Sequence, residues 1–313
     1  MALSKSETDA TLLKVIVFPN TTQLPLYVGD ALGIFARHGL TVERTITPTS
    51  TFQITKLAAG EFDIAIGAFD NIVAYQEGQG AELLQDPDLF AFMGVARMNL
   101  QLVVQPGIQS YADLKGKTFA VDAVSSGFVS VLRRMLELGG LGLDDYELVP
   151  VGTKRWETLK AGEHSGALMT DNFMSGDLST GLRILDNSID ALPPYQSAVA
   201  TACRGWAAAR GDDLIRFIQA YVECLDWIFD PANHDEAARI LGNNRDGMSP
   251  EAAANSVAQL TSGREGLTPK AALDMEAVRT VVDLRNRFGE SRKELAGPEP
   301  YIDLSYYEAA ITG

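Results

Sequence analysis

Leu57-Ala58-Ala59-Gly60-Glu61 is answered 102 positions later by Leu159-Lys160-Ala161-Gly162-Glu163. Five residues alone mean little, so their surroundings decide the weight of the match. Upstream of the first copy, Lys14-Val15-Ile16-Val17-Phe18 is a short apolar run closed by Pro19, the pattern of a buried strand. Pro25 to His38 carries Leu26, Ala31, Leu32, Ile34 and Phe35 and stops at Gly39, which predicts a helix. Leu40 to Ile46 alternates apolar and polar residues as a strand does. Thr49-Ser50-Thr51 offers hydroxyl caps for a helix through Ala59, and Gly60 ends it. Phe62 to Ile66 is a further apolar run. This βαβαβ order implies parallel strands joined by helical crossovers.

The second copy keeps the order. Lys117-Thr118-Phe119-Ala120-Val121 reads as a strand, and Ser125-Ser126 precede a helix from Val129 to Leu138 that ends at Gly139-Gly140. Glu147 to Val151 is a strand, Arg155 to Ala161 a helix, and Gly166 to Met169 a strand. Lys14 and Lys117 stand 103 positions apart, so order and spacing are both preserved. The expected fold is therefore α/β, with two similar lobes, each a mainly parallel sheet flanked by helices, and a ligand cleft between them. After about Ser197 the pattern changes to helix. Asp212-Asp213 open a long helix with apolar residues at Leu214, Phe217, Ile218, Tyr221, Val222, Leu225, Ile228 and Phe229, a core-facing stripe. Ser249-Pro250 and Thr268-Pro269 each place a cap residue before a helix-starting proline. This helical tail is expected to fold back against the first lobe.

Composition narrows the function classes. The chain has 313 residues, enough for two domains of ordinary size. Hydrophobic residues make up 46% and charged residues 21%, a globular profile, and no stretch approaches a membrane-spanning length. A net charge of −15, with Lys and Arg scattered, repels nucleic acid. Cys203 and Cys224 read as buried thiols, a bridge or separate free groups, and their spacing fits no metal site. Met1 to Thr11 is short and polar, with no basic segment leading into an apolar one. The expectation divides between a periplasmic or cell-surface protein whose leader has been trimmed and a cytoplasmic protein starting at Met1.

Leu24-Pro25-Leu26-Tyr27-Val28, Ala31-Leu32-Gly33-Ile34-Phe35 and Gly39-Leu40-Thr41-Val42-Glu43 together resemble the opening of a known family. It comprises the substrate-binding proteins of ABC importers for sulfonates, taurine and thiamine pyrimidine precursors. Leu57 to Ala65 is similar to that family's "leucine, any, alanine-glycine, any, any, aspartate" segment, and Asp113-Leu114-Lys115-Gly116-Lys117 resembles the turn that opens its second lobe. The resemblance covers roughly residues 12 to 240 and specifies architecture more than ligand. It implies a type II periplasmic-binding fold, with lobe I at residues 12–100 plus 201–313 and lobe II at 101–200. The crossings then fall near Met98 to Gln101 and Ser197 to Cys203. Some relatives on this fold are enzymes that need a cysteine in the site. Here the first strand–helix loop, Pro19-Asn20-Thr21-Thr22-Gln23, has none.

Ligands of parallel α/β sheets bind outside the carboxyl ends of the strands, where helix amino termini present free N–H groups. Five loops qualify. They supply Asn20, Thr21, Thr22 and Gln23; Ser50, Thr51 and Phe52; Phe69, Asp70 and Asn71; Ser125 and Ser126; and, after Thr170, Asp171, Asn172 and Phe173. The hydroxyl residues also serve as plain helix caps, and capping is compatible with anion binding. Asp70-Asn71 and Asp171-Asn172 follow equivalent strands and either accept from an amine or ring N–H or cap the next helix. Phe52, Phe69 and Phe173 either stack on a flat ligand or pack in the core.

Catalytic signatures are sparse. His38, His164 and His234 fall at a helix end, a turn and the tail. Gly116-Lys117-Thr118 lacks the glycine a phosphate loop needs, since Tyr111 stands there. The expected function is capture of a small polar organic solute, sulfonate-, pyrimidine- or aromatic-acid-like, by hinge closure for an ABC permease. The protein would act as a monomer, without metal or cofactor. The alternative is a cytoplasmic enzyme on the same scaffold, acting on a small heterocyclic or aromatic substrate through Asp70 or Asp171.

Overall fold

The computed structural model describes residues 10–170, 181–289 and 294–312. The first segment builds strand β1 (Thr11–Val17), helices α1 (Leu24–Ala31) and α2 (Ile34–Arg37), β2 (Leu40–Ile46), α3 (Ser50–Ala58), β3 (Ile64–Ala68), α4 (Phe69–Gln76) and β4 (Leu89–Arg97). Next come β5 (Leu100–Val104), β6 (Lys117–Val121), α5 (Gly127–Leu138), β7 (Tyr146–Pro150), α6 (Arg155–Lys160), β8 (Gly166–Thr170), β9 (Arg183–Asn187) and α7 (Ser188–Ala191). The last part is β10 (Ala198–Cys203), α8 (Arg204–Ala209), α9 (Gly211–Phe229), α10 (His234–Asn243), α11 (Pro250–Leu260), β11 (Gly266–Leu267), α12 (Met275–Phe288) and α13 (Ser305–Thr312).

Two sheets form, in the orders β11-β4-β10-β3-β1-β2 and β7-β6-β8-β5-β9. Both are mixed rather than mainly parallel. The trios β2-β1-β3 and β7-β6-β8 are parallel, as the repeated βαβαβ order requires. The fourth strand of each sheet joins antiparallel: β10 against β3, and β5 against β8. Those two strands are exchanged, because β5 follows β4 of the first sheet directly and β10 returns to that sheet after β9 of the second. Their fifth strands, β4 and β9, also run antiparallel to them. Leu89-Phe90-Ala91-Phe92-Met93-Gly94-Val95-Ala96 of β4 is buried without a break, which is the continuous apolar run expected of a strand covered on both faces.

The two echoing pentapeptides end their helices in the same way. Gly60 takes φ +74° and Gly162 φ +76°. Gly60 N donates to the Leu57 carbonyl and Glu61 N to that of Lys56, at 2.9 and 3.0 Å. Gly162 and Glu163 repeat both bonds to Leu159 and Thr158, at 3.0 and 3.1 Å. This is a Schellman cap, built twice because each crossover must turn back sharply to its strand. A left-handed glycine also changes one expected element. Gly33, at φ +64°, splits the single helix expected over 25–38 into α1 and α2.

The apolar stripe of α9 packs as expected, with Leu214, Phe217, Ile218, Tyr221, Leu225 and Ile228 fully buried. Phe217 stacks on Phe35 of α2, ring centres 6.0 Å apart. Burying a side chain such as Phe217 or Phe92 contributes about 1.5–3 kcal/mol. Ser249 caps α11 by accepting from Ala252 N at 3.1 Å. Thr268 caps nothing, because Pro269-Lys270-Ala271 makes only one 3-10 turn in which Lys270 and Ala271 both have positive φ. The tail, expected against the first lobe, packs there and also reaches α5. Val278, Val281 and Val282 of α12 join one apolar cluster containing Phe69, Ile72 and Val73 of α4 and Val129, Leu132 and Met135 of α5. Arg287 pairs with Glu137, and Arg133 Nη1 donates to the Phe288 carbonyl at 2.9 Å, fastening α12 to α5.

Candidate functional site

The turn after β1, the last residue of β8 and the β4–β5 crossing border one pocket. Thr21 and Thr22, Arg97-Met98-Asn99, Thr170, and Gln259, Leu260, Glu265 and Gly266 of the tail line a half-open pocket with about 350 Å³ of empty space, the open solvent at its mouth included. Both sheets and the segment joining them therefore contribute walls. Thr170 ends β8, and the Thr21-Thr22 turn directly follows the strand signal of β1. Arg97, Asn99 and Glu265 were invisible as lining residues to sequence reasoning. Asn99 lies in the expected crossing, Arg97 ends β4 just before it, and Glu265 is in a turn of the tail.

Within this turn Thr22 Oγ1 donates to Asn20 Oδ1 at 2.6 Å. Gln23 points inward, its amide donating to the Phe18 carbonyl, so it shapes the loop and is almost wholly buried. At the next corner Thr49 caps α3 by accepting from Phe52 N at 3.1 Å. Ser50 and Thr51 are left half-buried on its first turn. Phe52 is half-buried, with the Lys56 ammonium 5.7 Å from its ring centre on one face. Gln53 Nε2 bonds the carbonyls of Ile16 and Ile66 at 3.1 and 3.0 Å, locking α3 onto β1 and β3.

At the third corner the core-packing reading holds for Phe69, while Asp70 takes a partner that neither of its readings named. Phe69 is 0% exposed and packed in the core, so its ring offers no face to a ligand. Its position after a strand looks the same in sequence as that of Phe52; only the packing of α4 against α12 distinguishes them. Asp70 is 3% exposed and its carboxylate is held by Arg285, which is 2% exposed. Arg285 Nε donates to Asp70 Oδ1 at 2.7 Å, Nη2 donates to Oδ2, and Nη1 reaches Gln79 Oε1 at 3.2 Å. The same Nη2 donates to the Ser125 carbonyl at 3.2 Å, so one guanidinium ties the α4 corner to the start of α5. Gly127 completes the contact. A Cβ there would lie 2.5 Å from Asp70 Cγ, so only glycine lets α5 approach this closely. Burial first, and the Asp70 charge second, push the Tyr195 phenol far up, so it stays neutral beside the pair. Asn71 is half-buried at the same corner. With its acceptors engaged by Arg285, Asp70 is a structural carboxylate here rather than a free base.

Ser126 caps α5, accepting from Val129 N at 3.4 Å and donating to Asp122 Oδ1 at 2.7 Å, while Ser125 is exposed. Asp171, Asn172 and Phe173 lie outside the described residues. The structure thus places Thr21, Thr22 and Thr170 around one pocket, and separately brings Asp70 to Ser125 and Gly127 through Arg285. Arg285 was missed, although a signal exists. It continues the 278, 281, 282 register of buried valines, and an arginine on an apolar stripe calls for a buried partner.

Cys203 and Cys224 are free thiols. Burial, with Asp88 nearby, pushes the Cys203 thiol up to about 12, so it is no thiolate nucleophile at neutral pH. Among the described residues no group of three or more His, Cys, Asp or Glu side chains is arranged to hold a metal ion. Among them, too, no helix is long and apolar enough to cross a membrane.

Several known structures share this architecture. A protein of Bordetella bronchiseptica RB50 superposes with TM-score 0.75 at 21% identity, over 99% of each chain. The periplasmic aliphatic sulphonate binding protein SsuA from Escherichia coli gives 0.71 at 16%, over 93% of this chain and 92% of its own. The periplasmic nitrate-binding protein NrtA from Synechocystis PCC 6803 gives 0.78 at 11%, over 97% and 89%. At these identities the likeness establishes the periplasmic-binding-protein fold. No curated protein sequence matches the chain. The family model described as "NMT1/THI5 like" matches residues 20–234, well over half of the chain, and the chain therefore belongs to the NMT1/THI5-like family.

Proposed function

We propose that this protein is a solute-binding protein that captures a small polar organic molecule, sulfonate-, pyrimidine- or aromatic-acid-like, and presents it to an ABC importer. The observation that carries this is the pocket at the crossing, whose walls come from both sheets and from the segment between them. A solute bound there touches both sides at once and favours whichever arrangement lets it do so, which is the energetic basis of hinge closure. In this reading residues 12–100 with 201–313 move as one lobe against 101–200, and the protein works as a monomer. Structural neighbours named as aliphatic sulphonate- and nitrate-binding proteins support the transport class. Nothing among the described residues favours the enzyme alternative, since Asp70 is committed to Arg285 and Cys203 is held as a thiol.

The test is a thermal-shift screen with sulfonates, pyrimidines, amines and aromatic acids, followed by incubation of each hit and recovery of the compound. A stabilising solute recovered unchanged, with a smaller radius of gyration in its presence, is the expected result. Conversion of the compound into a product would sink the transport reading.

A further inference from the structure

Helix α12 begins where the chain passes between the sheets. Its cap, Asp274, accepts from the N–H groups of Glu276 and Ala277 at 3.1 Å each, and Arg97 at the end of β4 lies 3.7 Å from the same carboxylate. Gln196, in the return segment before β10, donates its N–H to the Ala277 carbonyl at 3.3 Å. From there α12 packs against both α4 of the first lobe and α5 of the second. Asp70 follows β3, and Ser125 leads into α5 after β6. Arg285 bonds both, so α12 spans the carboxyl-end corners of the two sheets.

The two sides of α12 are held unequally. Toward α4, two nitrogens of Arg285 meet both oxygens of Asp70 in a pair almost wholly shut off from water, and Nη1 reaches Gln79. Parting those charges would leave each buried alone, which is strongly unfavourable. Toward α5 the same guanidinium makes one bond, to the neutral Ser125 carbonyl. The other polar ties to α5 are an edge pair, with half-exposed Arg287 donating to Glu137 at 2.9 Å through Nε, and the Arg133 bond to the Phe288 carbonyl. Exposed ion pairs of this kind are weak and give way to water. What remains is apolar burial, with Val278, Val281 and Val282 in one cluster with Val129, Leu132 and Met135. Such a surface is non-directional, so it joins readily and parts without stranding a charge.

We propose that the seam between α5 and α12 is a clasp between the lobes, which forms as they close and parts as they open, with α12 staying on α4. This rests on the two-lobe, solute-binding reading above and adds the contact that sets how far the ligand-free protein is already closed. A solute shifts that balance only by fitting the closed form better, so the strength of the clasp fixes the population from which it starts. Gly127 is where the clasp tolerates no added bulk. A Cβ there would lie 2.5 Å from Asp70 Cγ and 2.7 Å from its Oδ2.

Two variants press on the clasp in different ways. Gly127→Ala is a steric wedge between α5 and the α4 corner. Arg287→Glu turns the edge pair into a repulsion against Glu137 and alters only an exposed position. Small-angle X-ray scattering of the full chain, without any solute, should give each variant a larger radius of gyration and a longer maximum dimension than the parent. Far-ultraviolet circular dichroism should stay the same. Expansion of either variant with its ellipticity intact upholds the clasp. Parent-like dimensions in both, or expansion only where ellipticity is lost, overturn it, since the seam would then be ordinary core that cannot part without unfolding. No solute enters this measurement, so an overturned clasp leaves the solute-binding reading standing, and a solute screen without hits removes that reading separately.

Discussion

Arg285→Ala would strand the Asp70 carboxylate in a site it cannot leave. Both side chains are almost wholly shielded, and the carboxylate's two oxygens are each matched by a guanidinium N–H. Breaking a buried pair by removing one partner costs about 3–5 kcal/mol, because the surviving charge keeps its desolvation penalty without its counter-ion. The carbonyl of Ser125 and the amide oxygen of Gln79 lose a donor in the same step. The Asp70→Ala/Arg285→Ala double variant removes both charges, so it should be no less stable than Arg285→Ala alone. The cycle should then show a coupling of roughly 2 kcal/mol or more. Urea unfolding followed by circular dichroism measures all four corners, and unchanged slopes would show that the midpoints report stability. An Arg285→Ala protein within about 1 kcal/mol of the parent, with costs that simply add, would refute the claim that this pair is desolvated and coupled.

The twice-built helix cap gives a second prediction. Gly60→Ala and Gly162→Ala meet no neighbouring atom within 4 Å, so each should lose only the backbone term of about 1–2 kcal/mol for a left-handed alanine. Unequal urea midpoints, with one variant silent, would mean that the two caps are not energetic equivalents. The third concerns Asp113, whose carboxylate accepts from the backbone N–H groups of Gln109 and Ser110 and from the Ser110 hydroxyl, at 3.0, 2.9 and 3.0 Å. Those bonds hold its pKa below the usual carboxylate value. Its contribution is thus present above the unfolded value near 4 and is lost as pH falls through the lower folded value. Asp113→Asn should be less stable than the parent at pH 7, with the gap closing in acid. A gap that persists or widens on acidification would contradict the assignment.

How far the sequence could be read depended on how local each determinant was. The paired glycines, the hydroxyl caps at Thr49 and Ser126, and the stripe of α9 are all set within a turn or two of chain, and they stood in plain view. Strand direction is not local. Nothing in the alternation of β5 or β10 says that they run against β8 and β3; the exchange between sheets imposes that. Thr268-Pro269 obeyed the same cap rule as Ser249-Pro250 and failed, because the next two residues take left-handed φ. At the site, Asp70 carried the sequence signature of a ligand or cap residue. Its actual partner stands 215 residues away, beyond any spacing rule. Glu265 gave no signal at all, since a glutamate in a polar turn is indistinguishable from solvated surface until the crossing segment is seen beside it.

The strand exchange has a consequence for how the chain comes into being. When β1 to β4 have left the ribosome, the strand that must sit between β3 and β4 is still about a hundred residues from being made. At roughly 5–20 residues per second, that is a delay of some 5–20 s during which the first sheet has an open seam through its middle. The second sheet waits for nothing comparable, since β5 precedes its neighbour β8 in the chain. The lobe that begins the chain is therefore the last to close.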